Sequence, residues 1–108
     1  MIIGYEVKMV SYYDDFSCGG ESEIFSRIFP TYELAKKQFD ICKEYIINKE
    51  TKLIMENSYI KEKEKFIEEA TLETSECFGI ADYGSMCYWG TEVRIIHLYA
   101  WTEPIQPA

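Results

Sequence analysis

Residues 31–53, TYELAKKQFDICKEYIINKETKL, decide the fold class. Thr31 has the character of an N-cap, and Glu33 in the first turn complements the helix dipole. Ala35, Phe39, Cys42, Ile46 and Leu53 recur at spacings of three, four and seven, with Leu34 and Tyr45 beside them. Such spacing puts the residues on one helical face. Lys36, Lys37, Asp40, Lys43 and Glu44 fall mostly on the opposite side, where Asp40 can pair weakly with Lys36 and Lys43. The segment predicts one long amphipathic helix that covers something apolar.

Upstream, residues 2–12 alternate. Ile3, Tyr5, Val7 and Met9 share one face, and Glu6 and Lys8 the other. Period two with a polar outer face predicts a half-buried strand. Residues 14–23, with two Asp, the Gly19-Gly20 pair and several Ser, read as a loop. Residues 24–29 read as a second strand, ended by Pro30 because proline donates no ladder hydrogen bond. A long-looped hairpin results.

Downstream, Asn57-Ser58 reads as a break. Residues 59–69, rich in Lys and Glu, fit a second helix capped by Ser58, but the pattern turns to period two from Ala70. A strand is predicted over about 68–80, a turn at 82–85, and a final strand over 86–102 interrupted near Gly90. The core of that strand, residues 93–101, is apolar on both faces, which predicts a central position. The order is β-β-α-(α)-β-β: an α+β fold, with an antiparallel sheet of about four strands and helix on one face. The 108 residues read as a single domain, 1–108, with no repeat.

Charge divides the chain unevenly. Acids outnumber bases five to two in residues 1–30, nine to eight in 31–70 and five to one in 71–108, for a net −8. The helical middle is balanced and the strand-like flanks carry the acidity. Direct nucleic-acid binding is disfavoured, because neutralising phosphates requires basic residues. No apolar run approaches a membrane span, and the N-terminus has no signal-peptide pattern. The default location is therefore cytoplasmic, with Cys18, Cys42, Cys77 and Cys87 reduced and a Cys77–Cys87 disulfide the minor alternative. With no C-x-x-C pair and a single histidine, neither a zinc site nor any other cofactor is predicted.

His97, the sole imidazole, is the natural general base. Its apolar neighbours Ile95, Ile96, Leu98 and Tyr99 point instead to a hydrogen-bonded structural position. The cysteines lack a nucleophile context, and the acids of residues 14–23 lack the spacing of a calcium loop. The aromatic set is more informative. Tyr12-Tyr13-Asp14-Asp15 and Asp82-Tyr83, Tyr88-Trp89 and Glu92 interleave acids with aromatics, the composition of a protein-binding surface. Asp14, Asp15, Glu21, Glu23, Tyr83 and Trp89 are the candidate partner-binding residues.

A hairpin followed by Phe29-Pro30-Thr31-Tyr32-Glu33-Leu34-Ala35-Lys36-Lys37 opening a helix is similar to the layout of many small phage and mobile-element accessory proteins, the anti-defence and anti-CRISPR-like class. The likeness is one of layout, with about seven residues of phrase, and no functional residue carries over. It implies inhibition by occupying a nucleic-acid-binding surface, in some members as dimers.

These readings converge on a non-enzymatic acidic module that docks on a basic protein surface, most concretely a phage-type inhibitor of a nucleic-acid-handling host defence protein. A nucleotide- or metabolite-binding protein with an aromatic cleft between sheet and helix is the alternative, and a virion component a further one. A homodimer formed over the two-sided final strand is open.

Overall fold

The computed structural model describes residues 2–15, 19–56, 62–83 and 87–100. Strands β1 (Ile2–Asp15) and β2 (Gly19–Phe29) form a hairpin. Helix α1 (Tyr32–Tyr45) runs without a break through a π-helical segment, Ile46–Glu50, into α2 (Thr51–Glu56). Helix α3 (Lys63–Ala70) is followed by β3 (Thr71–Thr74), β4 (Cys77–Tyr83) and β5 (Cys87–Tyr99). The strands make one antiparallel sheet in the order β2-β1-β5-β4-β3. The fold is α+β, with helices on one face and β5 central, as the two-sided apolar pattern predicts.

Four expectations are corrected. The sheet has five strands, because 68–80 is not one strand. Helix α3 continues to Ala70, and a two-residue turn at Ser75-Glu76 then folds β3 back on β4. That turn is held by the Glu76 N–H donating to Thr74 Oγ1 at 3.3 Å and by Lys36 Nζ donating to the Ser75 carbonyl at 2.8 Å. Of the helix-or-strand stretch before it, residues 63–70 are helix, while the Asn57-Ser58 break and the proposed Ser58 cap lie outside the described residues.

The first hairpin is not long-looped. Asp14 pairs with Gly19, so Asp14, Asp15 and residues 19–23 belong to strands. Backbone pairing needs no apolar alternation, and acids and glycines at the end of a ribbon ladder as well as valines do. Strand β5 likewise runs straight through Gly90. A Cβ there would meet the Ile80 carbonyl oxygen at 2.4 Å and the Ala81 Cα at 2.8 Å, so glycine permits close backbone approach instead of breaking the strand. Met86, the Asp82–Ser85 turn beyond Tyr83, and residues 101–108 are outside the described part.

The fourth correction is on the helix. Thr31 caps α1 by accepting the Leu34 N–H at 3.3 Å, and Ala35, Phe39, Cys42 and Ile46 are buried as predicted. Leu53 is 52 % exposed, and Ile54, at 1 %, occupies the core. The π-helical segment is the reason: the Thr51 N–H bonds Ile46 five residues back, which inserts one extra residue into the helical turn. An uninterrupted α-helix would turn Lys49 or Glu50 and then Leu53 toward the sheet. The insertion turns Thr51 and Ile54 inward in their place, and the Thr51 hydroxyl is satisfied by the Ile46 carbonyl at 2.8 Å.

Core residues come from every layer: Val7 and Met9 of β1, Phe78 and Ile80 of β4, Val93 and Ile95 of β5, and Phe39, Ile46, Ile54 and Phe66 of the helices. Cross-strand pairs Val7–Ile95, Met9–Val93 and Phe78–Val93 build the covered face. Of the apolar face predicted for β1, Ile3 is exposed, beside a register shift between Ile2 and Gly4.

Candidate functional site

Two places in the described structure bring chemistry-bearing residues together. The first is the end of the sheet formed by the tips of four strands. Register sets Tyr12 opposite Glu21 on one side and Gly90 on the other; Tyr13 pairs with Trp89, and Asp14 with Gly19 and Tyr88. Strand β4 completes the end, with Asp82 opposite Trp89 and Tyr83 opposite Tyr88. Five of the predicted residues, Asp14, Asp15, Glu21, Tyr83 and Trp89, are thereby brought to one end of the sheet, and Glu23 sits two pairs further in than Glu21, opposite Val10. The side chains of Asp14, Asp15, Tyr83 and Trp89 lie outside the described part, so these four are placed by backbone register alone.

Glu21 and Glu23 are exposed and share the sheet face that carries no helix. Glu21 is not an isolated acid. It forms an ion pair with Arg94 of β5, whose guanidinium also approaches Glu92 Oε1 at 3.4 Å. Cys77 is beside them: its thiol donates to Glu92 Oε2 at 3.5 Å. Burial, then the Glu92 carboxylate, push that thiol up from its ordinary range, so Cys77 stays protonated as the donor. Cys42, buried in the core, is pushed up by burial as well, and both are free thiols, so the alternative Cys77–Cys87 disulfide is not formed.

The second place is on the covered face. His97 Nε2 lies 2.6 Å from Glu76 Oε2. The imidazole packs edge-on against Tyr5, its direct cross-strand partner, at 5.2 Å between ring centroids, and against Tyr32 at the start of α1 at 6.3 Å. Tyr5 and Tyr32 meet edge-on at 5.5 Å. Burial and then Glu76 push the Tyr32 phenol above its ordinary range, so it stays protonated against the carboxylate. The Ile95 N–H donates to the Glu76 carbonyl at 2.9 Å, which ties the same turn to β5 through its backbone.

A carboxylate–imidazole pair is half of a general-base apparatus, and it needs a nucleophile or bound water beside it. Cys77 follows Glu76 directly but faces the other side of the sheet, on Glu92. Two donors do not make a metal site, and among the described residues no group of three His, Cys, Asp or Glu side chains converges. What the cluster does visibly is hold the β3–β4 turn against β5 and α1. His97 is thus hydrogen-bonded and half-buried.

Sequence reasoning missed Glu76 as the partner of His97 and Arg94 as the partner of Glu21, which are 21 and 73 residues apart. Only the sheet order brings either pair together, and no local signal reports it. A cleft of about 260 Å³ lies along the π-helical segment, lined by Ile47, Asn48, Thr51, Lys52 and Met55. It has no aromatic side chain among its described lining residues, and it is not the sheet–helix aromatic cleft anticipated for a metabolite. Among the described residues no helix is long and apolar enough to cross a membrane. No protein-family model, no curated protein and no solved structure matches the chain.

Proposed function

We propose that the chain is a non-enzymatic binding protein whose acidic, tyrosine-rich sheet end docks on a basic surface of a partner protein. The observation that carries this reading is the strand register, which collects Tyr12, Tyr13, Asp14, Asp15, Glu21, Tyr83, Tyr88 and Trp89 from four strands onto one end. Aromatic side chains supply contact area at low entropic cost, and acids around them steer a basic partner. The bases of the chain are meanwhile occupied in part with internal work. Lys36 bonds the Ser75 carbonyl, Lys43 pairs with Glu73 at 2.5 Å, and Arg94 lies between Glu21 and Glu92. The net −8 is consistent with a protein-facing surface and opposes polyanion binding. In its most concrete form the partner is a nucleic-acid-handling defence protein, whose own binding surface is basic.

The test is reversal of Asp14, Asp15, Glu21 and Glu23 to Lys together, with affinity measured across a salt series. Binding by this end predicts a large loss of affinity in the variant, and weakening of the native protein's binding as ionic strength rises. Unchanged binding by the fourfold variant rejects the reading.

A further inference from the structure

Strand β2 is an outer strand of the sheet and eleven residues long. The other outer strand, β3, has four residues, and its turn is clamped by Lys36. An outer strand presents a row of backbone N–H and C=O groups, and the group that satisfies such a row is another extended backbone. Residues 20–24 are all exposed, and the register of β2 shifts just after Glu23. The shift divides the pairing of β2 with β1 into two runs, Phe25–Phe29 and Gly19–Glu23, and the second lies at the acidic end. In that run Glu21 and Glu23 share one face, and Gly20 and Ser22, both small, alternate with them.

We propose that the outer edge of β2 over Gly19–Glu23 is a strand-addition site for an extended segment that carries Lys or Arg at alternate positions. Side chains i and i+2 of an added strand fall on one face, next to Glu21 and Glu23. The Glu21 carboxylate already binds a guanidinium, that of Arg94. An incoming base can take Glu21 while Arg94 keeps Glu92, 3.4 Å away. A second copy of this chain is a poorer occupant. Two-fold antiparallel pairing about Ser22 sets Glu21 opposite Glu23 of the other copy, like charge against like. The proposal rests on the basic-partner reading above and names the way in which the partner is held.

The experiment titrates the full chain against a fluorescein-labelled synthetic peptide of alternating threonine and lysine, read by fluorescence anisotropy at low salt. Two further peptides are N-methylated at every second residue, one along each edge of the strand. Strand addition predicts that methylation of one edge weakens binding about tenfold or more, the loss of one or two backbone hydrogen bonds, and that the other edge tolerates it. The Glu21→Lys, Glu23→Lys double variant is expected to lose binding of the unmodified peptide. If both methylated peptides bind as tightly as the unmodified one, attachment is electrostatic only: strand addition is overturned while acidic docking stands. If no peptide binds, strand addition is overturned as well. A chain that sediments as a dimer, and that the peptide converts to monomer, assigns the edge to a second copy and overturns the foreign strand. Failure of the fourfold reversal to affect a partner rejects the basic-partner reading by itself.

Discussion

The two faces of this sheet are built to different rules. On the covered face, Val7, Met9, Phe78, Ile80, Val93 and Ile95 pair across strands and are closed over by Phe39, Ile46, Ile54 and Phe66. On the open face the strands present Glu6, Lys8, Glu21, Glu23, Glu92 and Arg94, with Ile28 and Leu72 exposed and, among the described apolar side chains, Val10 and Ala81 buried. Stability therefore belongs to one face, and the charge available to a partner belongs to the other. Substitutions should separate the faces cleanly, and failures to separate would be informative.

The largest effect is expected at Phe39, 2 % exposed against the covered face. Phe39→Ala should cost about 3–5 kcal/mol in urea unfolding, the transfer term plus a cavity. Next is Gly90→Ala, whose new methyl meets backbone and not the end of a flexible side chain. Its cost should be about 1–3 kcal/mol, the range for an overpacked site. A neutral result would mean that β4 and β5 can separate locally without loss. Glu76→Ala removes the carboxylate from His97 and from Tyr32 together and should cost about 1–2 kcal/mol by the same measurement.

A smaller effect is expected from alkaline pH. Both Cys42 and Cys77 are pushed above their ordinary 9.0. The unfolded chain ionises first, so the contribution of these thiols is complete below about 9 and is lost as pH rises through their folded values. Unfolding at a series of pH values in reductant should show stability falling above that point, with a shallower fall in a Cys42→Ala variant. The smallest effects belong to the open face. Ile28→Thr and Leu72→Thr should each stay within about 0.5 kcal/mol of the native protein, as surface changes do. A cost near that of Phe39→Ala would break the comparison, because it would mean that the open face is covered in solution.

Much of the fold was legible because it follows from period alone. Alternation in β1 marked the strand that pairs on both sides, and Ala35, Phe39, Cys42 and Ile46 marked the helix face. The failures share a physical origin in contacts made at a distance. Ser75-Glu76 has no Gly, Pro or Asn to announce a turn, and a lysine from α1 helps to hold it. The acids and glycines at the tip of the first hairpin have the composition of a loop, yet they pair, since a ladder uses backbone atoms. The candidate end of the sheet was partly legible, in the alternation of Tyr and Trp with acids. That Glu21 is already shared with Arg94 was not, because the two residues meet only across the sheet order β2-β1-β5.

The π-helical segment has a further consequence. It acts as a phase shifter, advancing everything after Ile46 by one residue relative to the stripe that leads into it. The helix is thus two half-faces joined out of step, and each half fits the sheet only because the other is offset. Deleting one residue between Ile47 and Glu50 should remove the insertion and leave an unbroken α-helix with Thr51 and Ile54 still inward, four and seven places after Ile46. Regularising the helix with every residue kept would instead turn Leu53 inward in place of Ile54, so that the chain keeps its hydrophobic count and loses its fit. Phase, and not composition, is what this helix contributes to the fold.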